Sequence, residues 1–209
     1  MSNDYRNTEY CPALEKVEEK KNELQKNILC KHPRQKNMYN KIKLRESEFN
    51  KQFFKIYNYK CAYCGVSLDI LPKALFEVDH YIAESSFNDK NEAGKVENLV
   101  LACYQCNRNK SSFTISGDYV DRLNTDNGNI TNIFYRNDKY YICINKSFQK
   151  DKMITEFYDK LKLYHQSHRI DYLLLSMNGL HNKIDDERDK EILSDMIISL
   201  QHKRNKFFV

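Results

Sequence analysis

The sequence predicts an α+β fold in which a small strand-strand-helix unit carries helical extensions at both ends. Two Cys-x-x-Cys pairs bracket the middle of the chain, and two short apolar runs, "LFEVDH" and "ENLVLAC", lie between them. Stretches with helical spacing of apolar residues precede and follow this region. We therefore expect an N-terminal helical, basic region at 1–58, a core at 59–113, and a hairpin with C-terminal helices at 114–209.

The composition is that of a folded, helix-rich protein. The chain has 209 residues, of which 41% are hydrophobic and 30% charged, with only 5 Gly and 3 Pro. No apolar run approaches the ~18 residues of a membrane span. The N-terminal "MSNDYRNTEYCP" lacks a basic-then-apolar signal pattern. We expect a cytoplasmic protein without a membrane partner, whose cysteines stay reduced.

The N-terminal region is predicted to form two helices. One spans about residues 12–30, where Lys21 interrupts an apolar stripe. The second is expected from Tyr39 to Tyr57 after the break at Pro33, with four apolar side chains inward: Leu44, Phe49, Phe53 and Ile56.

The charge of the chain is unevenly distributed. Residues 31–60 hold nine Lys or Arg against two Glu, whereas residues 66–97 hold seven acids against three Lys. A basic segment that precedes an acidic one is expected where one part holds a polyanion and the next a cation. Candidate phosphate contacts are Lys41, Lys43 and Lys51. A solvated helix face is the alternative interpretation.

The two Cys-x-x-Cys pairs have the spacing of ligands for one tetrahedral zinc ion. They are Cys61 with Cys64 and Cys103 with Cys106, separated by 38 residues. This separation exceeds the ~15 to 20 residues of a simple zinc ribbon, which indicates a folded insertion. The alternatives are a redox pair or unrelated buried thiols. The other three cysteines are expected to be small buried hydrophobes: Cys11, Cys30 and Cys143.

The insertion places Asp79 and His80 at the end of the first predicted strand. The second strand begins near Asn98, and a helix follows in "NRNKSSF", so the three elements can converge on one point. Asp79 offers a hard oxygen for a cation such as Mg²⁺, and His80 offers a base that titrates near neutrality. Arg108 and Lys110 on the helix can hold phosphate or be merely solvated.

Two carboxylates near this pair were weaker candidates. Glu77 alternates with Asp79, although a solvent-facing strand residue is the simpler interpretation. Glu84 in the following loop is a further candidate metal ligand. In the C-terminal region, His165 and His168 have helical spacing for a metal pair but lack a third ligand, so a surface or core role is favoured.

Read in order, "CAYCG", "VDH", "ENL" and "CYQCNRNK" resemble an HNH endonuclease of the ββα-metal kind over about residues 57–113. The resemblance implies a DNA substrate, with His80 as general base. It further implies that Asn98 orients the histidine, and that Asp79 and Asn107 hold a catalytic cation. The four paired cysteines match the structural zinc ligands of the family.

The chain departs from the common family pattern at two places. Many members have Pro shortly after the Asp-His pair, where this chain reads "YIAESSF", and many have His at the position of Asn107. An amide oxygen in place of an imidazole favours Mg²⁺ or Mn²⁺ over a softer metal.

Two further readings accompany the nuclease hypothesis. A non-catalytic zinc-knuckle module that binds nucleic acid or protein is the alternative, but such a module does not need a base beside a carboxylate. In size and helical extensions the chain also resembles, more weakly, the HNH subunit of Septu-type anti-phage systems. That likeness implies a bacterial defence effector working with an ATPase partner.

Overall fold

The structure is a computed structural model that describes residues 4–208. The first helix, α1, spans Val17–Lys31 and buries Val17, Leu24 and Ile28 on one face. Lys21 lies on that same face, where its Nζ is 2.6 Å from Asp126 Oδ2. The residue that interrupts the apolar stripe therefore forms a buried ion pair with a loop about a hundred positions away.

The single helix expected from Tyr39 to Tyr57 is wrong, because this stretch contains two helices. They are α2, Tyr39–Ile42, and α3, Glu48–Ile56. Glu46 between them has a φ of +63°, and the Ser47 side chain accepts the Asn50 N–H as the N-cap of α3. The break leaves Leu44 52% exposed rather than inward, whereas Phe49, Phe53 and Ile56 are buried as predicted.

The central strands form as predicted, whereas the helix after them begins and ends three residues earlier than "NRNKSSF". Strand β1, Phe76–His80, pairs antiparallel with β2, Leu99–Cys103, in a register that sets His80 opposite Leu99. A short helix, α4, Lys90–Ala93, lies in the loop between them. Helix α5, Tyr104–Lys110, follows β2 directly and begins three residues before Asn107. The carboxyl end of β1, the start of β2 and α5 thereby form a ββα unit.

The C-terminal region contains a hairpin and helices. The predicted hairpin is formed by β3, Phe134–Arg136, and β4, Ile142–Ile144, with the turn between them closed by the hydrogen bond from Asn137 N to Tyr141 O. The helices are α6, Tyr119–Arg122; α7, Ile130–Ile133; α8, Lys152–Lys160; α9, Gln166–His181; and α10, Glu187–Asn205.

One hydrophobic core joins the three predicted regions. It includes Leu24 of α1, Phe53 of α3, Leu101 of β2 and Phe157 of α8, each with less than 3% exposure. A smaller cluster of Ile170, Leu174, Leu193 and Ile197 holds α9 against α10. The flanking helices are therefore packed onto the ββα unit, and the boundaries at 58 and 113 stay a prediction.

The exposure of the three unpaired cysteines and the polarity of the helices test two further predictions. Cys30 is exposed and Cys11 and Cys143 are only half-buried, so the prediction that these three are core residues is wrong. Within residues 4–208, every helix is too short or too polar to cross a membrane.

Candidate active site and metal centre

The four paired cysteines lie close together where β2 joins α5. Their sulfurs all lie within 4.8 Å of one another, and all four residues are buried. Cys61 and Cys64 belong to a knuckle closed by the hydrogen bonds from Cys61 N to Val66 O and from Gly65 N to Cys61 O. Cys103 ends β2 and Cys106 lies in α5. The knuckle is joined to β2 by the 2.7 Å hydrogen bond from Ala62 N to Leu101 O.

This cluster fits a structural zinc ion. Zinc binds thiolates at about 2.3 Å in a tetrahedron, which places neighbouring sulfurs a little under 4 Å apart. Cys64 Sγ lies 3.9 Å from Cys103 Sγ. Burial raises the pKa of the Cys64 thiol well above its ordinary value, so a metal has to displace a proton there. Four enclosed soft ligands of this kind could hold a metal such as zinc in a closed site.

The N-terminal segment supports the first knuckle from outside. The buried Arg6 guanidinium donates to the carbonyl oxygens of Ala62 and Thr125, both at 2.8 Å. Gly65 follows the knuckle with a φ of +81°, and a Cβ built on it would lie 2.5 Å from Arg6 O. Glycine is therefore required here both for its backbone conformation and for the close approach of another chain segment.

His80 lies at the carboxyl end of β1 between an aromatic ring and a carboxylate. Its ring centroid is 4.4 Å from that of Tyr39, and its Nε2 is 4.0 Å from Glu84 Oε2. Within the described chain, Nε2 is enclosed without a hydrogen-bond partner. Burial lowers the pKa of His80, an effect that Glu84 opposes and that Lys110 and Lys43 reinforce. The imidazole is therefore neutral at pH 7, as a base must be.

Asp79, the residue before His80, is buried and contacts two donors. Tyr63 Oη donates to its Oδ2 at 2.7 Å, and Lys110 Nζ lies 3.1 Å from each carboxylate oxygen. Burial raises the pKa of Asp79, and the Lys110 ammonium counteracts that rise. The carboxylate thus already has one cation beside it.

The position of Lys110 differs from the predicted surface contact with phosphate. Its side chain is 1% exposed, and its Nζ also donates to the His80 carbonyl at 2.7 Å. Arg108, by contrast, is exposed: it lies over the Tyr104 ring and pairs with Glu77 at 3.3 Å. Of the two predicted phosphate contacts on α5, the structure leaves Arg108 accessible.

Asn107 lies beside Glu77, for which the sequence favours a solvent-facing position on the strand. Asn107 Nδ2 donates to Glu77 Oε2 at 2.5 Å. Glu77 is half-buried on the same side of β1 as Asp79, since the two are separated by one residue. That alternation was the available sequence signal, and only the docking of α5 on β1 shows which partner Glu77 meets.

Asn98 secures the loop after His80 rather than contacting the imidazole. Its Oδ1 accepts the Ile82 N–H at 2.8 Å, and its Nδ2 donates to the carbonyls of Ile82 and Ala93. The Asn98 carbonyl also accepts the Tyr81 N–H at 2.7 Å. Asn98 can therefore affect the orientation of His80 only through the backbone of residues 81 and 82, which follow the histidine.

The oxygens around α5 suit a hard divalent cation. Glu77 offers a carboxylate, and the Asn107 amide oxygen is not used by the bond that its nitrogen donates to Glu77. Mg²⁺ and Mn²⁺ prefer such ligands. Both oxygens of Asp79, by contrast, already contact the Lys110 ammonium. Within residues 4–208, the four cysteines are the one compact group of three or more His, Cys, Asp or Glu. A cation near Asn107 would thus have few protein ligands, as Mg²⁺ commonly does.

The predicted lysine contacts of the N-terminal region have different surroundings. Lys43 is exposed, with Nζ 4.8 Å from the centroid of the Tyr39 ring. Lys41 is half-buried, and Lys51 Nζ is 3.8 Å from Glu46 Oε2. Of the three, Lys43 alone is tied to the surroundings of His80.

The two C-terminal histidines have different structural roles: His165 caps a helix and His168 is buried. His165 is the N-cap of α9, where its ring accepts the Ser167 N–H. His168 is buried, and burial lowers its pKa to about 4. The favoured reading of a surface or core role agrees with these positions.

Residues 61–113 match the family model of the HNH endonuclease. No protein of curated function matches the chain, and no solved structure matches it. The matched segment starts at the first zinc-knuckle cysteine and ends just after α5. The chain therefore contains an HNH domain, which supports a nuclease-type function in general.

Proposed function

We propose that this protein is a metal-dependent endonuclease that hydrolyses phosphodiester bonds of DNA. The observation that carries the proposal is the placement of His80: a neutral imidazole at a strand end, beside a carboxylate, within an HNH domain. A purely binding module has no use for a base in that position.

His80 acts as the general base of the proposed reaction. Because Nε2 is enclosed and directed towards Glu84, Nδ1 is the nitrogen that meets a water molecule. In the tautomer with Nε2–H, Nδ1 carries the lone pair and takes the proton as the water attacks phosphorus. Tyr39 packs against the ring and limits its rotation.

Asn107 and Asp79, with Glu77 beside them, are the residues that would hold Mg²⁺ or Mn²⁺. A cation held by these residues would offset the negative charge that develops on the phosphate. Lys110 counteracts the rise in the pKa of Asp79 that burial causes and, through the His80 carbonyl, fixes the backbone that carries the base. Asn98 fixes the loop that follows. These contacts preorganise the site.

Plasmid cleavage tests the proposal. Supercoiled DNA is incubated with zinc-loaded protein under Mg²⁺, Mn²⁺ or a chelator, and His80→Ala is compared with His202→Ala, which changes an exposed histidine of α10. We expect cleavage with either metal and a loss of ~10² to 10⁴ in rate for His80→Ala alone. If the His80→Ala protein cuts as fast as the wild type, the nuclease hypothesis is wrong. The alternative, a zinc-knuckle module that only binds, then takes its place.

The weaker resemblance to Septu-type proteins gains no support from the comparisons. The defence role and the ATPase partner stay predictions of the sequence, and cleavage that appears only with such a partner added would support them.

A further inference from the structure

A cleft of about 580 Å³ separates the N-terminal helical segment from the HNH domain. One wall carries Tyr39, Lys43 and Arg45, from α2 and the bend that follows it. The other wall carries Lys73 from the turn before β1, Glu77 from β1 and Arg108 from α5. The first wall lies outside the matched domain, so the family model says nothing about it.

This cleft includes Asn107 and Glu77 of the proposed cation site and lies next to His80, which does not itself line it. Tyr39 lines it and packs against His80, with 4.4 Å between ring centroids. Asn107, the proposed cation ligand, lines it as well. A polymer bound at Asn107 would therefore also be next to the side chains of this cleft.

The charges of the cleft favour a polyanion. Its four cationic side chains outnumber its two carboxylates, Glu46 and Glu77. Both carboxylates already pair with a cation: Glu46 with Lys73 at 2.6 Å, and Glu77 with Arg108 at 3.3 Å.

The other two cations are available. Within residues 4–208, Lys43 and Arg45 have no carboxylate partner: Lys43 lies over the Tyr39 ring and Arg45 contacts the Ala74 carbonyl. Both are exposed, so contact with a phosphate requires little desolvation of protein.

We propose that the cleft binds the phosphate backbone of duplex DNA next to the scissile bond, with Lys43 and Arg45 as the contacts. Glu46 weakens this binding, because it neutralises Lys73 and, more distantly, Lys51. The inference rests on the proposed function for its ligand and adds a binding site built from two parts of the chain. It also separates the basic segment into residues that contact DNA and residues that do not.

Lys41 and Lys55 provide the matched control. Both belong to the basic segment, but neither lines this cleft. The double variants Lys43→Gln/Arg45→Gln and Lys41→Gln/Lys55→Gln remove the same charge from the same region. If the net charge of the segment alone attracts DNA, the two variants behave alike.

Fluorescence anisotropy with a labelled duplex tests the proposal across a salt series, without added Mg²⁺ or Mn²⁺. For Lys43→Gln/Arg45→Gln, we expect weaker binding and a salt slope shallower by up to ~1.8 log units per log salt, for two contacts. The control keeps the wild-type slope, and Glu46→Gln binds more tightly than the wild type. Inorganic phosphate at matched ionic strength serves as competitor and should displace the duplex poorly.

The outcomes separate this inference from the proposed function. Equal losses in the two double variants, or an unchanged slope in Lys43→Gln/Arg45→Gln, would overturn the cleft as the binding site while leaving cleavage untouched. If the wild-type protein binds DNA through the cleft but does not cut it, the proposed nuclease function is wrong and the proposed binding site still stands. Equal displacement by phosphate at low concentration would show a small-anion site instead.

Discussion

Lys110 Nζ lies 3.1 Å from both carboxylate oxygens of Asp79, and both side chains are at most 8% exposed. The ammonium completes its hydrogen bonding with the His80 carbonyl, and Tyr63 supplies a further donor to Asp79. Helix α5 is thereby attached to β1 next to the proposed base. A lysine that looked like a surface contact in the sequence is part of the framework of the site.

Removing Lys110 should strongly destabilise the fold. Lys110→Met leaves the Asp79 carboxylate buried without its cation, and loss of one partner of a buried pair typically costs ~3 to 5 kcal/mol. Asp79→Asn/Lys110→Met removes both charges, so we expect it to be less destabilised than the two single changes added together. Urea denaturation of the four proteins gives the coupling free energy. Strict additivity would mean that the pair contributes nothing.

Gly65→Ala should destabilise the protein more than Gly128→Ala. Both glycines have a φ of +81°, so alanine carries a similar backbone cost, ~1 to 2 kcal/mol, at either position. A Cβ at Gly65 would meet Arg6 O at 2.5 Å, whereas nothing lies within 4 Å at Gly128. Each variant's loss of unfolding free energy is measured relative to the wild type, and the difference between the two losses gives the cost of the clash. Equal values would show that the N-terminal segment moves away without cost.

The purified protein should hold about one zinc ion per chain. Cys103→Ser should lose the metal and unfold at lower temperature, since structural zinc binding is worth ~10 kcal/mol or more in small peptides. Cys143→Ser is the control, because Cys143 is half-buried and outside the cluster. Elemental analysis and thermal denaturation report the two effects. A well-folded wild type without zinc would contradict the assignment.

The parts of the site that the sequence predicted depend on local spacing. The Cys-x-x-Cys pairs need only a short turn to present two sulfurs, and the strand ending in Asp79 and His80 is apolar before that point. Because the cysteines anchor both ends of the insertion, the pairing of β1 with β2 follows from the chain's connectivity. Such features depend little on the rest of the fold.

The remaining features depend on contacts between distant segments. The bend between α2 and α3 depends on Ser47 as a cap and on a left-handed Glu46, which the helical periodicity concealed. Lys21 meets Asp126 only once the loop after α6 has docked. The position of Tyr39 against His80 likewise requires the packed N-terminal segment. None of these pairs has a characteristic spacing in sequence.

Asn107→Ala should weaken Mn²⁺ binding while leaving zinc and folding intact. The amide oxygen of Asn107 is a proposed ligand of the catalytic cation, and its nitrogen is held by Glu77. Loss of a residue that orients a ligand commonly costs ~10- to 100-fold in metal affinity, so Glu77→Gln should weaken binding within that range. Loss of the ligand itself should cost at least as much. Electron paramagnetic resonance of Mn²⁺, titrated into zinc-loaded protein, measures binding independently of cleavage.

Asn109→Ala is the control for this prediction, because Asn109 lies on the same helix two residues further on. It should bind Mn²⁺ as the wild type does. Excess Mn²⁺ should partly restore cleavage by Asn107→Ala, since the remaining carboxylates still favour a hard cation. If Asn107→Ala and Asn109→Ala bind Mn²⁺ equally well, the cation lies elsewhere.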